Sequence, residues 1–270
     1  MAASVTSDQL KKLTEAETLA DKGKLYFEHG RFEESRDFYQ KALEKRIEAL
    51  DNSDPLVAET HHRLAVSLGE LGEYEMAGKN FDKAVEIFEK FYYSEHYNLA
   101  PVLLDQASFL MRQEKWEEAE PICLRSQQIF SKTLSGENKL CLESTYRLAI
   151  IYRKIGKGAD ALKLFARIKK ALESPLGPEE EFNYLEALLK QDEGKPNEAE
   201  KAFLAAIKGF EKRRNLVRLA DCLKSYAELL KAQNKSDEAL QILEKASKIE
   251  NNSKGLSYSG ALFTTTLLKA

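Results

Sequence analysis

Apolar and small residues recur three and four positions apart along much of the chain, as in Leu64, Ala65, Leu68 and Leu71, or Leu148, Ala149, Tyr152 and Ile155. That spacing puts them on one face of a helix and predicts a succession of amphipathic helices. A second regularity lies inside the stripes. Six pairs of small residues stand twelve positions apart: Gly23/Ser35, Ala65/Ala77, Ala107/Ala119, Ala149/Ala161, Ala187/Ala199 and Ala227/Ala239. Two helices approach closely only where both carry Gly, Ala or Ser at the crossing, so each pair marks one helical hairpin. Seven positions after the first member comes Gly30, Gly72, Gly156, Gly194 or Asn234, with Glu114 as the exception in the third unit. Gly and Asn accept the left-handed backbone that ends a helix and opens a tight turn.

The second helix of each unit carries a bulky or apolar residue four positions past its small one, at Tyr39, Phe81, Cys123, Phe165, Phe203 and Leu243. Three positions on stand Ala42, Ala84, Ser126, Ile168, Ala206 and Ala246. A knob and a hole on one face suit packing against the next hairpin. Successive units are offset by 42, 42, 42, 38 and 40 residues. The expected fold is therefore all-α, a right-handed superhelical solenoid of six hairpins over 1–254, with units near 16–57, 58–99, 100–141, 142–179, 180–219 and 220–254. The segment 255–270, with Leu256, Tyr258, Leu262, Phe263, Leu267 and Leu268, reads as a C-terminal capping or docking helix.

The order bulky, Leu, small, aromatic, Gly, small, bulky, small resembles the tetratricopeptide repeat over roughly residues 16 to 250. The long period, the pairs Leu64-Ala65 and Leu148-Ala149, and Asp54-Pro55 opening a unit are similar to the subtype of kinesin light chains. The resemblance implies a binding scaffold. Members that clamp a C-terminal carboxylate use Lys, Asn and Arg at fixed groove positions; here those positions hold Ala20, Lys24, Arg63, Pro101 and Asp105, so the set is missing. Kinesin light chains place Asn before the Leu-Ala pair and accept acidic peptides with an aromatic anchor, whereas this chain has Arg63 and Arg147 there, and Asp105 between them.

Charge removes other readings. With 41 basic and 44 acidic residues interspersed, the net charge is −3, so no global field recruits nucleic acid or a membrane surface. No stretch nears about twenty consecutive apolar residues, and the first residues lack a secretory pattern, so a cytoplasmic protein is expected. Cys123, Cys141 and Cys222 lack the spacing of a metal or redox motif. Adjacent His61 and His62 would point about 100° apart on a helix and cannot share one ion. No catalytic, metal or cofactor set is expected.

What remains is the stripe on each first helix opposite the packed one. In the second to fourth units it comprises His62, Arg63, Leu104, Asp105, Arg112, Tyr146, Arg147, Ile150, Arg153 and Lys154. Glu17, Asp21 and Glu28 flank it on one side, and Glu181, Asp192, Asp221 and Glu228 on the other. The expectation is a non-enzymatic adaptor whose basic groove centre binds a peptide or helix, acidic with an aromatic or Leu anchor, through Arg63, Tyr146 and Arg147. Treated as an exposed groove charge, Arg147 could be reversed to Glu with lost binding and little loss of stability. The alternative is a peptide-responsive regulatory sensor whose superhelix changes shape on ligand binding.

Overall fold

A computed structural model of the chain describes residues 6–136, 138–171 and 179–252. Among these residues there are twelve helices and no strand. They pair in chain order as α1 (Ser7–Glu28) with α2 (Phe32–Ala49), α3 (Pro55–Glu70) with α4 (Tyr74–Phe91), and α5 (Leu99–Arg112) with α6 (Trp116–Thr133). The remaining pairs are α7 (Lys139–Lys154) with α8 (Gly158–Ala171), α9 (Glu179–Asp192) with α10 (Pro196–Arg213), and α11 (Leu216–Ala232) with α12 (Ser236–Asn252). The helix expected over 255–270 lies outside the described residues.

Local chemistry explains the boundaries. Thr6 opens α1 with a reciprocal capping box to Gln9, and the Asp54 carboxylate accepts from the Leu56 amide ahead of Pro55, which needs no intrahelical partner. Asn138 and Asn215 cap α7 and α11 through their side chains. At the turn inside each hairpin the backbone is left-handed: φ is 72°, 78°, 78° and 70° at Gly30, Gly72, Gly156 and Gly194, 63° at Asn234 and 58° at Glu114. Glu114 thus adopts the turn geometry without the residue type that favours it.

All twelve paired small residues are buried. Gly23 lies at a close crossing of α1 and α2, where a Cβ would stand 3.0 Å from the Tyr39 ring. The chain forms two compact units, α1–α6 and α7–α12. In the first, a buried Ser35–Ser67 hydroxyl pair (3.0 Å) joins α2 to α3, and Ser126 donates to the Ala100 carbonyl (2.7 Å) across α6 and α5. In the second, Tyr184, Phe203, Phe210 and Tyr226 share one core with the small residues Ala187, Ala199 and Ala206.

Two helical glycines separate packing from propensity. A Cβ at Gly78 in α4 meets nothing within 4 Å, whereas at Gly209 in α10 it would stand 2.5 Å from Glu180 Cβ and 3.3 Å from Glu180 Cα on α9. Alanine gains about 1 kcal/mol over glycine inside a helix. Gly78→Ala is therefore expected to stabilise by about that much, while Gly209→Ala loses about 1–3 kcal/mol because α9 and α10 must separate. Denaturant midpoints of the two variants check this; equal shifts would show that α10 is not held against Glu180.

Candidate functional site

The inner helices α1, α3 and α5 of the first unit supply the stripe positions. Between α1, α2 and α3 lies a cleft of about 270 Å³. Its walls are Glu17, Ala20, Asp21 and Lys24 from α1, Tyr39 and Arg46 from α2, and Leu56, Glu59, Thr60 and Arg63 from α3. Ala20 keeps the α1 wall low. Arg46 is locked in place, donating to the Leu56 carbonyl and the Thr60 hydroxyl at 2.7 Å each. Glu59 lies between two guanidinium groups, 4.0 Å from Arg46 and 3.9 Å from Arg63.

The structure places the other expected residues of this unit in internal pairs. His62, 5% exposed, bonds through Nε2 to Asp105 Oδ2 at 2.9 Å, while His61 turns to Asn80 at 2.7 Å, so the two imidazoles serve different partners. Arg112 donates to Glu70 at 2.6 Å. Leu104 is fully buried. Arg63 is half-buried at the cleft wall.

In the second unit the stripe is more deeply enclosed. Tyr146 has no exposed surface; its hydroxyl donates to Glu181 at 3.0 Å and accepts from Arg218 at 3.2 Å. Arg218 also bonds Glu181 at 2.7 Å, reaches Asp221 at 3.3 Å and lies 5.0 Å over the Tyr184 ring. Burial, with the Glu181 carboxylate next, pushes the Tyr146 hydroxyl well above its ordinary pKa. Arg147, 5% exposed, pairs with Glu143 at 2.7 Å, and its Nε and Nη1 donors have no hydrogen-bond partner. Ile150 is half-buried against the core around Ala149 and Phe165, Arg153 forks onto Asp192 with one bond at 2.9 Å, and Lys154 is exposed.

Two expectations are corrected here. Tyr146 is an interior member of a polar network, where it has no face to offer a peptide, and Arg147 is a buried charge. The basic groove centre read from the stripe is also reduced, since Glu70, Glu143 and Asp192 pair with Arg112, Arg147 and Arg153. Glu70 and Glu143 were missed because they fall outside the counted positions. A signal for them exists in the sequence: Glu143 precedes Arg147 by four residues on one helix face, and Glu70 precedes Arg112 by 42, one repeat. The Arg218–Glu181 pair, 37 residues apart, falls three short of the 40-residue offset between its two units, so repeat spacing alone does not find it.

The comparisons agree with this architecture. Models of the tetratricopeptide repeat match residues 16–56, 58–91 and 98–174, together more than half of the chain. The chain belongs to the tetratricopeptide-repeat family and resembles its kinesin-light-chain-like subtype. Among solved structures, the apo form of RapI superposes with a TM-score of 0.74 at 16% identity, covering 90% of this chain and 85% of that one. A Rap protein complexed with competence and sporulation factor gives 0.68 at 17%, covering 90% and 66%. A putative kinesin light chain from Podospora anserina, described as having nearly identical TPR-like repeats, gives 0.55 at 17%, covering 88% and 96%. No curated protein matches the sequence. Among the described residues no helix is long and apolar enough to cross a membrane.

Proposed function

We propose that this chain is a non-enzymatic protein-interaction scaffold that seats a segment of a partner on the inner face of α1–α6. The observation that carries the reading is the cleft itself. It is an open hollow of about 270 Å³ bounded by the inner-face side chains of α1 and α3, the surface on which repeats of this type present binding positions. A Rap protein of like fold is complexed with competence and sporulation factor, which supports a binding role for the architecture. Internal pairing of Arg112, Arg147 and Arg153 removes the case for a strongly acidic partner with an aromatic anchor on Tyr146. The proposal therefore rests on fit to the cleft, with Lys24 and Arg63 as its cationic wall.

The test is selection of displayed random dodecapeptides on the intact chain, followed by measurement on Ala20→Trp. Ala20 is half-buried at the cleft wall, so the indole fills the hollow while leaving the hairpin crossing at Gly23 untouched. Selected peptides are expected to lose about tenfold or more in affinity on the plugged variant, the effect of closing a principal contact. Peptides that bind parent and plugged chain equally would show that the partner sits elsewhere.

A further inference from the structure

One polar group in the cleft is left unanswered by the fold. The Tyr39 side chain is 3% exposed, its ring lies flat against Gly23, and its hydroxyl makes no hydrogen bond to any described residue. It lines the cleft, and the charges that act on it are Arg63 first, then Glu59, Glu28 and Asp21, all but Glu28 being cleft residues. Burial pushes this hydroxyl up to about pKa 12, so it is a neutral donor at physiological pH. The hydroxyl opens onto the cleft, where a bound acceptor can take its hydrogen bond in place of solvent.

The charges around it are sorted by sign along the helices. On α1, Glu17 and Asp21 stand one turn apart and make no ion pair or hydrogen bond with any described residue, and Lys24 follows them. On α3, which runs the same way as α1 because α2 lies between them in the chain and reverses direction at each turn, Glu59 again precedes Arg63. Along α1 the cleft therefore runs from an acidic end at Glu17 and Asp21 to a basic end at Lys24, while on α3 Glu59 is answered by Arg46 and Arg63. From midway between Glu17 and Asp21 to Lys24 is five residues of helix, about 7.5 Å at 1.5 Å per residue. Two residues of extended chain advance about 6.6–7 Å and put their side chains on one face.

We propose that the cleft recognises a dipolar stretch of extended chain in the partner, a Lys or Arg placed two residues from an Asp or Glu. The cationic side chain lies between Glu17 and Asp21, and the carboxylate lies at Lys24 and Arg63 with the Tyr39 hydroxyl donating to it. This deepens, and rests on, the reading that the inner face of α1–α6 seats a partner segment. A peptide of one sign satisfies only one end of the cleft and meets like charge at the other, so a mixed-sign pair is preferred in either chain direction.

The same dodecapeptide selection tests it. Peptides that Ala20→Trp excludes are expected to be enriched in an oppositely charged pair at i and i+2. A synthetic peptide made from such a sequence is expected to bind Tyr39→Phe about tenfold more weakly, the loss of one hydrogen bond to a charged group. Because the hydroxyl has no hydrogen-bond partner among the described residues, Tyr39→Phe should melt with the parent. Asp21→Lys, an exposed change, should reject that peptide and accept its derivative with Glu in place of the basic residue. Selected peptides that Ala20→Trp excludes but that lack the pair, or that bind Tyr39→Phe as tightly as the parent, would overturn this inference and leave the groove reading standing. If no selected peptide is sensitive to Ala20→Trp, the groove reading falls and this one falls with it.

Discussion

Glu181→Ala is expected to lower the stability of α7–α12 by about 3–5 kcal/mol, the usual consequence of removing one partner from an enclosed ion pair. The side chains of Glu181 and Arg218 are 2% and 5% exposed, and three bonds from Arg218 reach the carboxylate, the shortest at 2.7 Å. Taking the carboxylate away removes the closest acid from an enclosed guanidinium, with Asp221 farther off at 3.3 Å, and deprives the Tyr146 hydroxyl of the acceptor at 3.0 Å. The size of the loss comes from the stranded charge, while the pair itself contributes little net stability. Two comparisons separate these effects. Tyr146→Phe, which removes one hydrogen bond of the network, should lose only about 1–2 kcal/mol. Glu181→Gln combined with Arg218→Met, which removes both charges, should be far milder than Glu181→Ala alone. Denaturant midpoints measured on the four proteins decide the matter; a Glu181→Ala chain as stable as the parent would mean that water reaches Arg218.

The network joins α7, α9 and α11, the first helices of three successive hairpins, through Tyr146, Glu181 and Arg218. Hydrophobic burial is indifferent to small slips of one hairpin along the next, whereas a bidentate pair is not. That registers the inner helices of this unit at fixed heights and leaves their inner face rigid. In α1–α6 the same task falls to His62–Asp105 and Glu70–Arg112 between α3 and α5, whereas beside the cleft Arg46 of α2 bonds the Leu56 carbonyl and the Thr60 hydroxyl of α3. The cleft opens at that point.

The hairpins were legible in the chain because close helix crossings admit few residue types. Each small pair at twelve residues is buried, and the left-handed turn falls seven positions after the first member in every unit. Glu114 shows the limit, since its φ of 58° is imposed by the flanking helices of the hairpin and not by its own preference. The site was less legible. Helical spacing tells which face a residue lies on, but not how deep the neighbouring hairpin buries that face, so spacing alone sets Tyr146 and Arg147 at the surface while the structure encloses them. Charge read along a single helix also overlooks partners one repeat away, as with Glu70 and Arg112. Tyr39 carries no signal in the sequence beyond its knob position, because its ring does the packing at Gly23 while its hydroxyl faces the cleft.

Arg147→Glu follows from that correction, and its expected effect is the reverse of the one the stripe alone suggests. On an exposed face the change would leave the melting curve in place. At 5% exposure it sets a second carboxylate one turn from Glu143, itself 4% exposed, and withdraws the guanidinium that pairs with it at 2.7 Å. Two enclosed like charges at i and i+4 repel, and neither has water to solvate it, so a loss of about 3–5 kcal/mol is expected. Arg147→Met with Glu143→Gln should be near neutral by comparison, because it removes both charges together with the Nε and Nη1 donors that already lack acceptors. The pair of variants thus distinguishes a buried ion pair from a binding residue. A charge-reversed chain that melts with the parent would return α7 to the surface and reinstate Arg147 as a candidate contact, whereas early melting of the single variant with a restored double variant places it in the framework that supports the inner face.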